Sequence, residues 1–192
     1  MTSTKLAPTE SITDQGTATT EDVGAHGKVT VVFAEFDVVD HHGDLTERGA
    51  FGNQTVHISG WNHGLWETNA LPLGVARIYE THKDARADLQ FNMQLQAARD
   101  LFEAIRFDMA NGKLTQYSYG FDVENHSPGD GEQCRRILKK VLVHEISPVT
   151  VAAGIGTHTV SAKSELEDIR AHVERQELAE ILRSLYLEDE AA

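Results

Sequence analysis

"LTQYSYGFDV", residues 114–123, decides how this chain is read. It is an aromatic, apolar stretch with the composition of a buried strand. Ser118 stands in its middle between Tyr117 and Tyr119, two residues before Gly120. Working outward, the stretch is flanked by a helix and a second strand. Upstream, Leu95, Ala98, Leu101, Phe102, Ile105 and Met109 form one apolar stripe at helical spacing, stopped by Asn111-Gly112. Downstream, "HSPGDGEQ" (126–133) is a turn-rich hairpin connection, and "CRRILKKVLVHEISPVTVAAG" (134–154) is one long strand or two, with Pro148 at an edge or bend.

The rest of the body repeats this strand character. "KVTVVFAEFDVV" (28–39) is β-branched and aromatic. "VHISGWNHG" (56–64) is a short strand entering a glycine-flanked loop. "PLGVARIYETHKDARADLQFNMQL" (72–95) reads as two strands joined by a polar turn around His82 to Arg86. Short strands separated by turn signals predict a mainly β fold with helices (α+β), a small closed β-barrel surrounded by helices. Three regions are expected. Residues 1–27 are an arm rich in Thr, Ser, Gly and acids, too poor in apolar groups to offset its ordering entropy. Residues 28–160 form the domain. Residues 161–192 form an acidic amphipathic helical tail, striped by Leu166, Ile169, Val173, Leu178, Ile181, Leu182 and Leu185.

Composition narrows the function classes. The 192 residues are 40% hydrophobic and 24% charged, which suits one domain plus tails. A net charge of -13 disfavours phosphate-led nucleic-acid binding and anionic membrane surfaces. There is no apolar run of membrane-spanning length and no secretory signal pattern. Cys134 is the only cysteine, so no intramolecular disulfide forms, and the plain reading is an incidental thiol in a polar loop.

Three polar residues sit where composition alone does not require them: His63 in "GWNHGLW", Ser118, and Glu145 in the apolar "VLVHEISPV". A serine hydroxyl is too weakly acidic to attack unaided. An imidazole can take its proton at neutral pH, and a carboxylate can fix the tautomer and stabilise the imidazolium. With ten histidines and 30 acids in the chain, such a trio also arises by chance, and no G-x-S-x-G elbow surrounds Ser118. A second cluster, Asp37, Asp40, His41, His42 and Asp44, with His57 and His63 downstream, holds metal-ligand residue types. A metal-dependent hydrolase using Asp40, His42 and Asp44 is therefore one alternative. The spacing matches no metal signature, and the plainer reading is a turn capped by Asp side chains with Gly43 at positive φ.

The order of the pieces adds information. "FAEFDVVDHHGDLTERGAF", "WNHG", "LPLGVARIYE", a helix followed by "GKLTQYSYGF", and "HEISPVT" succeed one another over about residues 29–155. Together they resemble the prohead protease family of tailed bacteriophages. The resemblance implies a fold similar to herpesvirus assemblins and a serine endopeptidase that matures capsids in the host cytoplasm, inside the immature prohead. It implies cleavage of the scaffolding domain or protein, and of the protease itself, through an acyl-enzyme. On that resemblance His63 is the general base, Ser118 the nucleophile and Glu145 the third member, with the adjacent His144 as the alternative. It further implies an oxyanion hole of backbone amides with a water held by an arginine, for which Arg135 and Arg136 are candidates. No cofactor or metal is implied. The partners implied are the major capsid protein or its scaffolding domain and the protease itself, with a homodimer left open. The competing reading is a catalytically silent module that binds capsid or scaffold.

Overall fold

The computed structural model describes residues 27–65, 70–131, 133–163, 175–176 and 178. The expected arm and nearly all of the expected helical tail lie outside these residues.

The fold is mainly β, with one long helix and a sheet curled into a half-barrel. The elements are β1 (Lys28–Glu35), β2 (Asp44–Thr46), β3 (Thr55–Ile58), β4 (Gly74–Glu80), β5 (Asp84–Phe91), α1 (Gln96–Ala110), β6 (Gln116–Pro128), β7 (Arg136–Val149) and β8 (His158–Lys163). Strand order is β2-β7-β3-β4-β5-β1-β8, with β6 paired to β7. Two expectations change. The barrel does not close through its hydrogen-bond ladders among the described residues. Residues Ser161–Lys163, expected to open the tail helix, instead complete β8 against β1.

Simple patterns make most of these strands. β5 alternates, burying Ala85, Ala87, Leu89 and Phe91. β4 and β5 form the expected hairpin, closed by Thr81 and Asp84 rather than by a turn reaching Arg86. The small Ala87 faces Ile78, and the small Ala76 faces Leu89, so large and small side chains alternate across the ladder. The centre of β1, Val31 to Ala34, is buried on both faces, and β1 is an inner strand between β5 and β8. The α1 stripe buries Ala98, Leu101, Phe102 and Ile105, and the helix packs on β5 and β8. Gly112 follows it at φ 75, the left-handed stop read from Asn111-Gly112.

β7 is the spine of the molecule. One edge pairs antiparallel with β6 along its length. The other pairs parallel with β2 near Arg136 and with β3 near Glu145. Between those two short ladders the Gln54 amide takes the place of a strand: Nε2 donates to the Val141 carbonyl at 3.1 Å and Oε1 accepts from the Val143 amide at 3.0 Å. The "GAF" loop is held by Glu80, whose carboxylate accepts from the amides of Gly49, Phe51 and Gly52. That fixes Phe51 edge-on to Phe33 and Tyr119, at ring centroid distances of 5.0 and 5.2 Å.

The glycine of "PLG" has a packing reason. A Cβ on Gly74 would lie 2.1 Å from the Gln90 carbonyl oxygen and 2.9 Å from Phe91 Cα, both backbone atoms that cannot swing away. Gly74→Ala is therefore expected to destabilise the domain by about 2 kcal/mol or more, lowering Tm in thermal unfolding by roughly 4 °C or more. An unchanged Tm would show that the β4–β5 ladder shifts freely.

Candidate active site

His63 lies in the loop that leaves β3. Asn62 and His63 take successive positive φ values of 51° and 60°. Each costs a non-glycine residue about 1–2 kcal/mol, which anchoring must offset. The anchors run along β7 and its extension. Ser59 N–H donates to the Ile146 carbonyl and Asn62 N–H to the Pro148 carbonyl, both at 2.9 Å. Thr150 N–H donates to Asn62 Oδ1 at 3.0 Å, and Trp61 Nε1 donates to Thr150 Oγ1 at 3.1 Å. Within the loop, Leu65 N–H donates to Ser59 Oγ at 3.0 Å. The histidine is thus fixed to the strand that carries Glu145.

Glu145 is 1% exposed, and its Oε1 lies 2.6 Å from His63 Nδ1. With Nδ1 protonated this is a charge-assisted hydrogen bond. It leaves the ring's lone pair on Nε2, the nitrogen that can accept a proton. Glu145 Oε2 is buried with no hydrogen-bond partner among the described residues. The carboxylate's charge is therefore directed at the imidazole and at little else. His144 points elsewhere: its Nε2 lies 2.9 Å from Asp122 Oδ2. Successive strand residues face opposite ways, so only one of this adjacent pair reaches His63, and it is Glu145.

Ser118 enters through strand register. In the β6–β7 ladder Ser118 stands opposite Ser147, and Gly120 opposite Glu145. Directly paired residues share a face, with Cβ atoms about 4.5–5.5 Å apart. Ser147 Oγ lies 3.1 Å from His63 Nδ1. Ser118 is thus one strand away from the imidazole, and both line the same cavity of about 720 Å³. Ser118 is half-buried and open to that cavity, whereas Ser147 is fully buried. Gly120, two residues after the serine, puts no side chain opposite Glu145.

The other sequence candidates are placed differently. Asp40 is the turn cap expected of it: Oδ1 accepts from the amides of His42 and Asp44 at 2.8 and 2.9 Å, and Gly43 has φ 81. Asp44 is bound at both oxygens by Arg136, each at 2.7 Å. Among the described residues no three His, Cys, Asp or Glu side chains are grouped to hold a metal, so Asp40, His42 and Asp44 do not form the alternative centre. Arg136 stands opposite Pro128, far along β6 from Ser118, with its guanidinium taken by Asp44. Arg135 donates to the His42 carbonyl. Both arginines line the cavity that Ser118 and His63 line, and each already donates through Nε and one terminal nitrogen, Arg135 to the His42 carbonyl and Arg136 to Asp44. Burial pushes the phenols of Tyr117 and Tyr119 well above the ordinary tyrosine range, so both stay neutral in the cavity wall. Cys134 is buried rather than loose in a polar loop, because it packs against Gly129 at the hairpin end.

A family model for caudovirus prohead serine proteases matches residues 20–172. The chain belongs to that family. The prohead protease is therefore a serine peptidase, and the family implies action in the viral prohead on capsid or scaffold protein. The silent-module alternative gives way to that assignment. No curated protein and no solved structure shows significant similarity, so the herpesvirus likeness rests on the sequence resemblance alone. Among the described residues no helix is long and apolar enough to cross a membrane. Sequence reading of the prohead protease missed Ser147, Asn62 and Thr150. The signal for Ser147 was present, since Glu145-x-Ser147 spacing in a strand puts both side chains on one face.

Proposed function

We propose that this serine peptidase matures capsids by cleaving the scaffolding domain or protein, and itself, with Ser118 as nucleophile, His63 as general base and Glu145 as the orienting carboxylate. The observation that carries the reading is the 2.6 Å contact between His63 Nδ1 and Glu145, made beside the half-exposed Ser118 in a shared cavity. Ser118 Oγ attacks the scissile carbonyl carbon as its proton passes to His63 Nε2. The tetrahedral intermediate collapses when Nε2 returns that proton to the leaving amine, which departs and leaves an acyl ester on Ser118. Water then attacks the ester, His63 takes and returns its proton, and the carboxylic acid leaves. Glu145 keeps Nδ1 protonated and stabilises the imidazolium present in both halves. The acidic tail expected over residues 161–192 runs past residue 172, where the matched family region ends, and it is a targeting or self-cleaved segment in this reading.

The test combines labelling with processing. A fluorophosphonate is expected to modify one serine, placed by fragment-ion sequencing at Ser118 in the tryptic peptide spanning 114–135, which also holds Ser127, rather than at Ser147 in the peptide spanning 141–163, which also holds Ser161. Co-expression with the cognate capsid precursor should yield a shortened capsid protein, seen by intact mass, and a metal chelator should not prevent it. Labelling at Ser147, or chelator-sensitive processing, would overturn the assignment.

A further inference from the structure

Glu145 and Ser147 project from the same face of β7 and converge on one nitrogen. Oε1 is 2.6 Å and Ser147 Oγ 3.1 Å from His63 Nδ1. We propose that Ser147 is a positioning residue: its hydroxyl oxygen and Glu145 together fix the plane of the His63 ring so that Nε2 is presented to Ser118. The inference rests on the reading of His63 as general base.

Three observations support it. First, Ser147 is fully buried, and its contact with His63 is the one hydrogen bond that its hydroxyl makes among the described residues. A hydroxyl with no partner is costly to bury, and alanine would fill the same space without that cost. Second, His63 sits on a loop at a strained positive φ, with about a third of its side chain exposed. Two acceptors two residues apart on a rigid strand, about 7 Å between their Cα atoms, restrict rotation of the ring about the Glu145 contact more than one acceptor does. Nδ1–H then donates chiefly to Glu145 and shares its proton with Ser147 Oγ in a three-centre bond. Third, Ser147 is the register partner of Ser118, so the ring it steadies lies beside the strand bearing the nucleophile. Ser147 is not itself the nucleophile, because it is shut off from solvent and touches the nitrogen that serves Glu145.

The test uses the full chain. Ser147→Ala is expected to lower kcat on a peptide substrate by about 10- to 100-fold with KM within about twofold, as misplacement of a base does. Ser147→Thr, which restores a hydroxyl, should recover most of that loss. In a Ser118→Ala background, which prevents self-cleavage, proton NMR should show a far-downfield His63 Nδ1 proton. Adding Ser147→Ala should shift that resonance upfield and speed its exchange. A filler role predicts a lower Tm with kcat and the resonance unchanged, and that result would overturn the proposal, as would full activity in Ser147→Ala. The NMR comparison does not depend on proteolysis. If Ser118 proves not to be the nucleophile, the Ser147–His63 contact is still tested on its own terms.

Discussion

Ser118→Ala is expected to lower kcat/KM on a scaffold-derived peptide by at least about 1,000-fold and to leave the capsid precursor at full length. The size follows from the step removed. Without Oγ no acyl-enzyme forms, and what remains is the modest catalysis that binding and electrostatics give an unassisted water. The fold should survive. Ser118 is half-buried beside a cavity, alanine keeps its Cβ opposite Ser147, and the hydroxyl makes no hydrogen bond among the described residues. Tm is therefore expected to stay within about 2 °C of wild type, as for substitutions that touch no core contact. Intact mass should also show the variant retaining any segment that the wild type removes from itself. Precursor processing at the wild-type rate would show that Ser118 is a wall residue and that another serine attacks.

Glu145→Gln is expected to lower kcat by about 100- to 10,000-fold while leaving Tm unchanged or higher. The two effects have separate causes. A glutamine amide of the same shape can donate to Nδ1, which a carboxylate cannot. The neutral ring then carries its proton on Nε2 and cannot accept one from Ser118. Stability moves the other way because Glu145 is buried with Oε2 unpartnered, and removing a buried, half-satisfied charge removes a desolvation cost. His144→Ala is the control. Its ring bonds to the exposed Asp122, so its loss should change kcat by less than about threefold. A larger loss from His144→Ala than from Glu145→Gln would reverse the assignment of the third member. The pairing of lower activity with undiminished stability separates a catalytic carboxylate from a structural one, whose removal costs both.

Most strands were legible because their patterns are local. β5 alternates with period two, the α1 stripe repeats at helical spacing, and Asn111-Gly112 ends it. The turn at Asp40 to Asp44 was legible for the same reason, since an aspartate bonding to amides two and four residues on needs no distant partner. β8 was not legible: "HTVSAK" is short, and it is a strand because the edge of β1 is there to receive it. The parallel pairing of β2 and β3 with β7 was equally hidden, because parallel ladders join segments that no turn connects.

The sequence by itself determined the residue types of the proposed site and their order. A histidine in a glycine-bounded loop, a serine in an aromatic strand and a glutamate in an apolar strand are chemistry written in the chain, and the ordered pieces carried the family resemblance. It could not choose between Glu145 and His144, exclude Asp40, His42 and Asp44, or notice Ser147. Those choices turn on which face of β7 meets the His63 loop and on which residues of β6 and β7 stand opposite each other. Both are set by the register of strands brought together from far apart, where a slip of one residue would send Glu145 and Ser147 to the other face. Only the tertiary structure fixes that register, because the packing of the whole sheet selects it.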